Sequence, residues 1–187
     1  MTDSMPKKEE REIVLVVVDV QKKFTGGSIP EKGDEEAVRV INEAAAMFRA
    51  AGRPVIFIFY DGECECSNYE KSDGDEFLHG IITYPTDIIV HKKHMNSFLD
   101  TKLEETVKEC GGDSILLAGM VTQYCVLGTY FGAFERGLSP YLLKGGIIST
   151  NPKINEAAYV ICKTFTLDEV KENLRTTEMD WRKELRS

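Results

Sequence analysis

The sequence feature that most constrains the fold is an uninterrupted apolar run near the amino terminus, Ile13 to Val18. The run consists of Ile, Val and Leu, most of them β-branched, and no polar residue alternates with them. A strand that is apolar on both faces has to be covered on both faces, which is typical of a parallel sheet flanked by helices. We therefore predict a first strand over residues 12–19 inside a parallel sheet.

Comparable apolar runs recur along the chain, and helical patterns separate them. A helix with apolar residues on one face follows the first strand and ends near Gly52. Further strands are expected at 54–60, 87–92, 114–118, 140–143 with 146–148, and 163–166. Strands that alternate with helices predict a three-layer α/β/α sandwich with a mostly parallel sheet of about six strands.

Length and composition fit a single globular unit. The chain has 187 residues, of which 42% are hydrophobic and 29% are charged, and it contains no internal repeat or linker. Residues 1–11 are polar and charged, so we expect a flexible tail there. Residues 12–187 are then expected to form one domain.

Net charge and cysteine content narrow the partners and the compartment. A net charge of −8 argues against nucleic acid and anionic membranes as partners. No apolar run approaches the roughly 20 residues that a membrane span needs. Five cysteines at irregular spacing do not form a disulfide framework, which predicts a reduced, cytoplasmic protein.

Three reactive residue types follow predicted strands: Asp19, a lysine at position 92 or 93, and Cys125. Cys125 falls in the first turn of a helix that begins near Thr122, where free N–H groups and the helix dipole favour a thiolate. Each residue also has a plainer interpretation, as a turn cap, a solvated charge or a small core residue. In a parallel sheet, however, the carboxyl ends of the strands share one side, so the three residues form one candidate site.

The chemistry of such a site is nucleophilic attack by sulfur. The carboxylate of Asp19 can take the thiol proton, and an ammonium group can stabilise the thiolate and keep the carboxylate ionised. Attack of the sulfur on a carbonyl would give a thioester, which water then hydrolyses. The candidate reaction is therefore the hydrolysis of a small carbonyl compound.

Three segments resemble motifs of the isochorismatase-like cysteine hydrolases, a superfamily that includes nicotinamidases, N-carbamoylsarcosine amidases, ureidoacrylate hydrolases and isochorismatases. The first segment is 18–24, with an Asp-x-Gln-x-x-Phe pattern. The second is 90–103, with a lysine and a downstream Phe-x-x-Thr-x-Leu pattern. The third is 119–126, around Cys125. The resemblance implies a six-stranded parallel sheet flanked by helices, and homo-oligomers in which a neighbouring subunit often completes the pocket.

The resemblance also implies roles for the site residues. Asp19 would be the general base and acid, Cys125 the nucleophile, and Lys92 the lysine of the triad, with Lys93 as the alternative. A cis peptide bond between Met120 and Val121 would turn the N–H of Val121, together with that of Cys125, toward an oxyanion.

Two further expectations concern the pocket. Phe24, Tyr124 and the loop from Asp61 would line the pocket for a small-molecule substrate. The irregular segment Asp61–Pro85 is a candidate lid, specificity loop or subunit contact, and its acidic part, Asp61–Glu76, would be the interaction surface of a non-catalytic protein.

We expect no cofactor and no catalytic metal. The sequence after the second strand lacks the histidines with which nicotinamidases hold a metal. Cys64 and Cys66 are two residues apart, but no second pair accompanies them at a spacing that suits zinc.

Three functions remain open at this stage. The first is hydrolysis of a C–N bond in a small amide or ureido compound through a thioester on Cys125. The second is vinyl-ether hydrolysis of the isochorismatase type, in which Asp19 would be essential and the cysteine dispensable. The third is a non-catalytic interaction protein on the same fold. Isochorismatases often lack the cysteine, so its presence favours the first.

Overall fold

The computed structural model describes residues 12–25, 35–62 and 75–174. Three sequence-based expectations lie wholly or largely outside these residues: the flexible tail at 1–11, the pair Cys64 and Cys66, and the acidic segment Asp61–Glu76.

One six-stranded sheet forms the centre of the described residues, and every pairing in it is parallel. Its strands are β1 (Ile13–Val18), β2 (Val55–Tyr60), β3 (Ile88–Lys92), β4 (Ser114–Met120), β5 (Ser139–Ile148) and β6 (Thr164–Phe165). The spatial order is β3-β2-β1-β4-β5-β6. The chain therefore adds β2 and β3 on one side of β1, and then β4, β5 and β6 on the other side. The prediction of a parallel sheet of about six strands is confirmed. The two pieces expected for the fifth strand form one strand of ten residues.

Helices cover both faces of the sheet. They are α1 (Glu35–Ala50), α2 (Leu103–Glu109), α3 (Leu127–Glu135), α4 (Pro152–Ile161) and α5 (167–174). Alternate residues of β1 point to opposite sides: Leu15 and Val17 join the cluster of α1 and α5, whereas Val14 and Val16 join that of α2, α3 and α4. All six residues of β1 are buried, which is why the run carries no polar position. The three-layer sandwich is thus confirmed.

The carboxyl end of β4 has a backbone that only glycine accommodates. Gly119 has a φ of +106°, and a Cβ atom there would lie 2.1 Å from the carbonyl oxygen of Val18 in β1. The next peptide bond but one, between Met120 and Val121, is cis. A π-helical turn over Thr122–Val126 follows and leads directly into α3. Close packing of β4 on β1 therefore sets where the turn that carries Cys125 begins.

None of the helices in the described ranges combines the length and apolar character that a membrane crossing requires.

Candidate active site

Asp19 lies immediately after β1, at the point where the strand order reverses. Open α/β sheets bind ligands at this position. The backbone of Asp19 is left-handed, with a φ of 49°, and its N–H donates to the carbonyl oxygen of Ile58 at 3.1 Å. The side chain is fully buried. A buried carboxylate needs a compensating partner, which identifies Asp19 as more than a turn cap.

That partner is Lys92, the last residue of β3. The Lys92 Nζ atom lies 2.6 Å from Oδ2 of Asp19, and both side chains are completely shielded from solvent. The same Nζ donates to the carbonyl oxygen of Met95 at 3.1 Å. Since β2 separates β3 from β1, the lysine side chain spans the end of β2 to reach the carboxylate. Lys93 is exposed, so of the two lysines left open by the sequence, Lys92 occupies the site.

Cys125 completes the cluster from the other side of β1. It lies in the π-helical turn after β4, and only 6% of the residue is exposed. Its thiol lies near enough to both side chains that Asp19 and Lys92 each act on its pKa. The structure therefore brings together the three residues that the sequence placed at separate strand ends.

Burial dominates the electrostatics of this cluster. Loss of water raises the pKa of Asp19 above its usual value, although the neighbouring Lys92 ammonium opposes the rise. Burial likewise raises the pKa of Cys125 to about 12, with a further contribution from the negative charge of Asp19. The helix-terminus argument led us to expect a thiolate. Both effects favour the thiol form of Cys125, opposite to the effect expected from the helix terminus.

Gln21 and Tyr60 support the site, and neither was singled out in the sequence as a functional residue. The buried side chain of Gln21 bonds the backbone of Tyr60 twice, accepting from its N–H at 2.8 Å and donating to its carbonyl at 3.2 Å. These two bonds attach the Asp19 loop to the end of β2. Gln21 belongs to the Asp-x-Gln pattern, so its spacing from Asp19 was a signal for this role.

A second contact fixes the loop that follows Lys92. Ser97 and Thr129 of α3 share a buried hydrogen bond of 2.7 Å between their hydroxyl groups. The Ser97 N–H also donates to the Thr129 hydroxyl at 3.1 Å. The loop that supplies the Met95 carbonyl is thereby anchored to the helix that follows Cys125.

The two expected pocket residues differ in exposure. Phe24 is half-buried, and its ring centroid lies 5.7 Å from that of Tyr60. Tyr124, next to Cys125 in the π-helical turn, is 56% exposed. Phe24 therefore packs on the end of β2, while Tyr124 presents its ring to solvent beside Cys125.

Across residues 12–25, 35–62 and 75–174, no three His, Cys, Asp or Glu side chains gather in a group that could hold a metal ion. Asp61 instead pairs with His91 at 2.9 Å, and both side chains are substantially exposed.

Comparison with known proteins assigns the family. The family model described as the isochorismatase domain matches residues 14–167. The chain therefore belongs to the isochorismatase family of hydrolases, as its motifs predicted.

Individual relatives are distant. An isochorismatase family protein of Bacillus subtilis, YrdC, is 27% identical over 135 residues, which is 72% of each chain. Streptothricin hydrolase of Streptomyces noursei is 28% identical over 123 residues, 66% of this chain but only 49% of that enzyme. The crystal structure of N-carbamoylsarcosine amidase from Thermoplasma acidophilum superimposes with a TM-score of 0.72 at 20% identity, covering 84% of this chain and 98% of that one. This last similarity is one of fold.

Proposed function

We propose that the protein is a cysteine hydrolase that cleaves a C–N bond in a small amide or ureido compound. The observation that carries the proposal is the fully buried Asp19–Lys92 ion pair, whose two charges both act on the buried Cys125 thiol. The names of two similar proteins support this proposal, because one is an N-carbamoylsarcosine amidase and the other a streptothricin hydrolase.

Asp19 is the proton acceptor in the proposed mechanism. Its raised pKa makes the carboxylate a stronger base than an exposed aspartate, which suits it to a thiol of high pKa. As Sγ of Cys125 attacks the substrate carbonyl, the thiol proton moves to Asp19 and the Lys92 ammonium balances the negative charge that remains. In this arrangement the thiol of Cys125 loses its proton only as its sulfur attacks a bound substrate.

The remaining steps release the amine, hydrolyse the thioester and restore the Cys125 thiol. The N–H groups of Val121 and Cys125 stabilise the oxyanion of the tetrahedral intermediate. Asp19 then donates its proton to the departing nitrogen, which leaves as ammonia or an amine, and a thioester remains on Cys125. Asp19 finally takes a proton from water, whose oxygen attacks the thioester, and gives that proton to the departing sulfur. The net reaction consumes one water and yields an acid and an amine.

Phe24 and Tyr124 are the proposed substrate contacts. Phe24 lies on the loop that carries Asp19 and Tyr124 lies next to Cys125, so each belongs to a segment that carries a residue of the candidate site. We further propose that the protein acts as a homo-oligomer in the cytoplasm, without a cofactor.

The test is release of ammonia or amine from a panel of primary amides and ureido acids that includes N-carbamoylsarcosine and streptothricin. We expect wild type to hydrolyse at least one compound, and Cys125→Ala to lower kcat/KM by at least about 1000-fold because the nucleophile is lost. Cys110→Ala is the matched control. Cys110 is a free cysteine that precedes the amino end of β4, whereas Cys125 follows its carboxyl end, so the loss of Cys110 should leave kcat/KM unchanged. Equal turnover by wild type and Cys125→Ala would exclude the thioester. Activity on a vinyl ether that needs Asp19 but not Cys125 would establish the isochorismatase-type alternative.

A further inference from the structure

A second buried lysine lies beside the candidate site, and the mechanism above does not use it. Lys23 stands four residues after Asp19 in the same loop, and only 7% of its side chain is exposed. Lysines are almost never buried to this extent unless the ammonium is fully paired. Its position therefore requires a compensating set of contacts.

Those contacts join three segments of the chain. The Lys23 Nζ atom donates to the carbonyl oxygens of Tyr60 at 2.9 Å and Gly62 at 3.2 Å, just at and beyond the end of β2. It also forms an ion pair with the carboxylate of Asp75. One ammonium thus connects the Asp19 loop, the carboxyl end of β2 and the segment that begins at Asp75.

The same ammonium is electrostatically connected to the triad. The Tyr60 ring lies 5.6 Å from Lys23 Nζ and 5.8 Å from Lys92 Nζ, so the two buried cations share one aromatic ring. The charge of Lys23 also lowers the pKa of Asp19, in the same direction as Lys92. Three groups consequently act on the Asp19 carboxylate: Lys92 from β3, Lys23 from its own loop, and the Cys125 thiol from the π-helical turn.

We propose that Lys23 is a positioning residue of this site, whose buried ammonium holds the end of β2 against the Asp19 loop and favours the ionised carboxylate. The contacts of Lys23 stand independently of the reaction, whereas the role of Asp19 as proton acceptor rests on the proposed function. Loss of Lys23 should therefore alter how Asp19 titrates, which an exclusively structural residue would not do.

The experiment measures alkylation of Cys125 by iodoacetamide as a function of pH, with peptide mass spectrometry to isolate this cysteine from the others. In wild type the rate should rise in two steps. The lower step accompanies ionisation of Asp19, which can then accept the thiol proton, and the upper step accompanies loss of the thiol proton to solvent. No substrate is needed, so the readout is separate from any test of turnover.

Lys23→Met should move the lower step to higher pH, because a positive charge that favours the carboxylate is gone. Asp75→Asn should move it in the opposite direction, because Lys23 keeps its charge and loses its neutralising partner. Lys22→Met is the matched control, since Lys22 is the adjacent lysine, is one-third exposed and pairs with Glu76. The lower step of the Lys22→Met variant should occur at the same pH as that of wild type.

The outcomes separate the two proposals. A lower step that stays in place in Lys23→Met, or moves equally in Lys22→Met, overturns the role of Lys23 and leaves the proposed function standing. A wild-type profile without a lower step overturns both. If Lys23→Met loses its native circular dichroism, Asp75→Asn decides the question, and an unmoved or raised lower step in that variant refutes the proposal.

Discussion

Replacing Lys92 with methionine tests the buried ion pair most directly. At the observed 2.6 Å between Nζ and Oδ2, the attraction is about 6 kcal/mol for an effective dielectric constant of about 20. The variant also escapes the cost of burying the ammonium, which reduces the net effect. Removal of one partner from a buried pair typically costs about 3–5 kcal/mol, and we expect Lys92→Met to lose this much of the free energy of unfolding at neutral pH.

The loss should depend on pH in a defined direction. The pKa of Asp19 is already raised in the folded protein, and removal of Lys92 raises it further above the unfolded value. A group of this kind takes up a proton on folding, so its contribution favours the folded state in acid and is lost as pH rises through the folded pKa. The penalty of Lys92→Met should therefore be small in acid, where Asp19 is protonated, and reach its full size at neutral and alkaline pH.

The assay is urea-induced unfolding of wild type and variant at pH values of about 5 and about 8. Lys93→Met is the matched control, because the neighbouring lysine is exposed and its loss should change stability by less than about 0.5 kcal/mol. Asp19→Asn combined with Lys92→Met should recover much of the loss, since no buried charge remains. A penalty below about 1 kcal/mol at neutral pH, or one equal at both pH values, would refute the reasoning that the pair is buried and mutually dependent.

Two further predictions concern Gly119, which lies at the end of β4 before the turn that carries Cys125, and the carboxylate of Asp19. Gly119→Ala should destabilise the protein by about 4 kcal/mol or more in thermal or urea unfolding, since its Cβ would meet the Val18 carbonyl at 2.1 Å. Gly52→Ala, at a left-handed glycine with no atom within 4 Å of the new Cβ, should cost only about 1–2 kcal/mol, and equal losses would contradict the close-approach argument. Asp19→Asn should abolish the lower step in the alkylation of Cys125 and shift the upper step to lower pH, because the Asp19 charge raises the pKa of that thiol. A profile identical to that of wild type would show that the carboxylate does not act on the thiol.

The layers of the fold could be predicted because they depend on local patterns. The apolar run at Ile13–Val18 requires cover on both faces, and all six residues are buried in the central part of the sheet. The helical spacing before Gly52 likewise matches α1, which ends at Ala50. The extent of the fifth strand was harder to predict from the sequence. Gly145 and Gly146 interrupt its apolar pattern, although the strand continues through both residues. Periodicity reports which faces are buried, and it loses force where glycine supplies no side chain.

The sequence also predicted part of the chemistry of the candidate site. Asp19, Lys92 and Cys125 could be assigned to one edge of the sheet because the carboxyl ends of parallel strands share one side. The state of the thiol could not be predicted, because its pKa depends on how much water is excluded and on how near the Asp19 carboxylate lies. Neither quantity is encoded in the spacing of residues along the chain.

By itself, the sequence determined that this chain forms an α/β/α sandwich with an acid, a lysine and a cysteine at one sheet edge. Only the tertiary structure decided that Lys92 rather than Lys93 crosses β2 to reach Asp19, and that Lys23 is buried beside them. The physical reason is that adjacent lysines look alike in a sequence. Strand register and side-chain path determine which ammonium leaves water, and a nearby carboxylate or backbone carbonyl groups compensate for the loss.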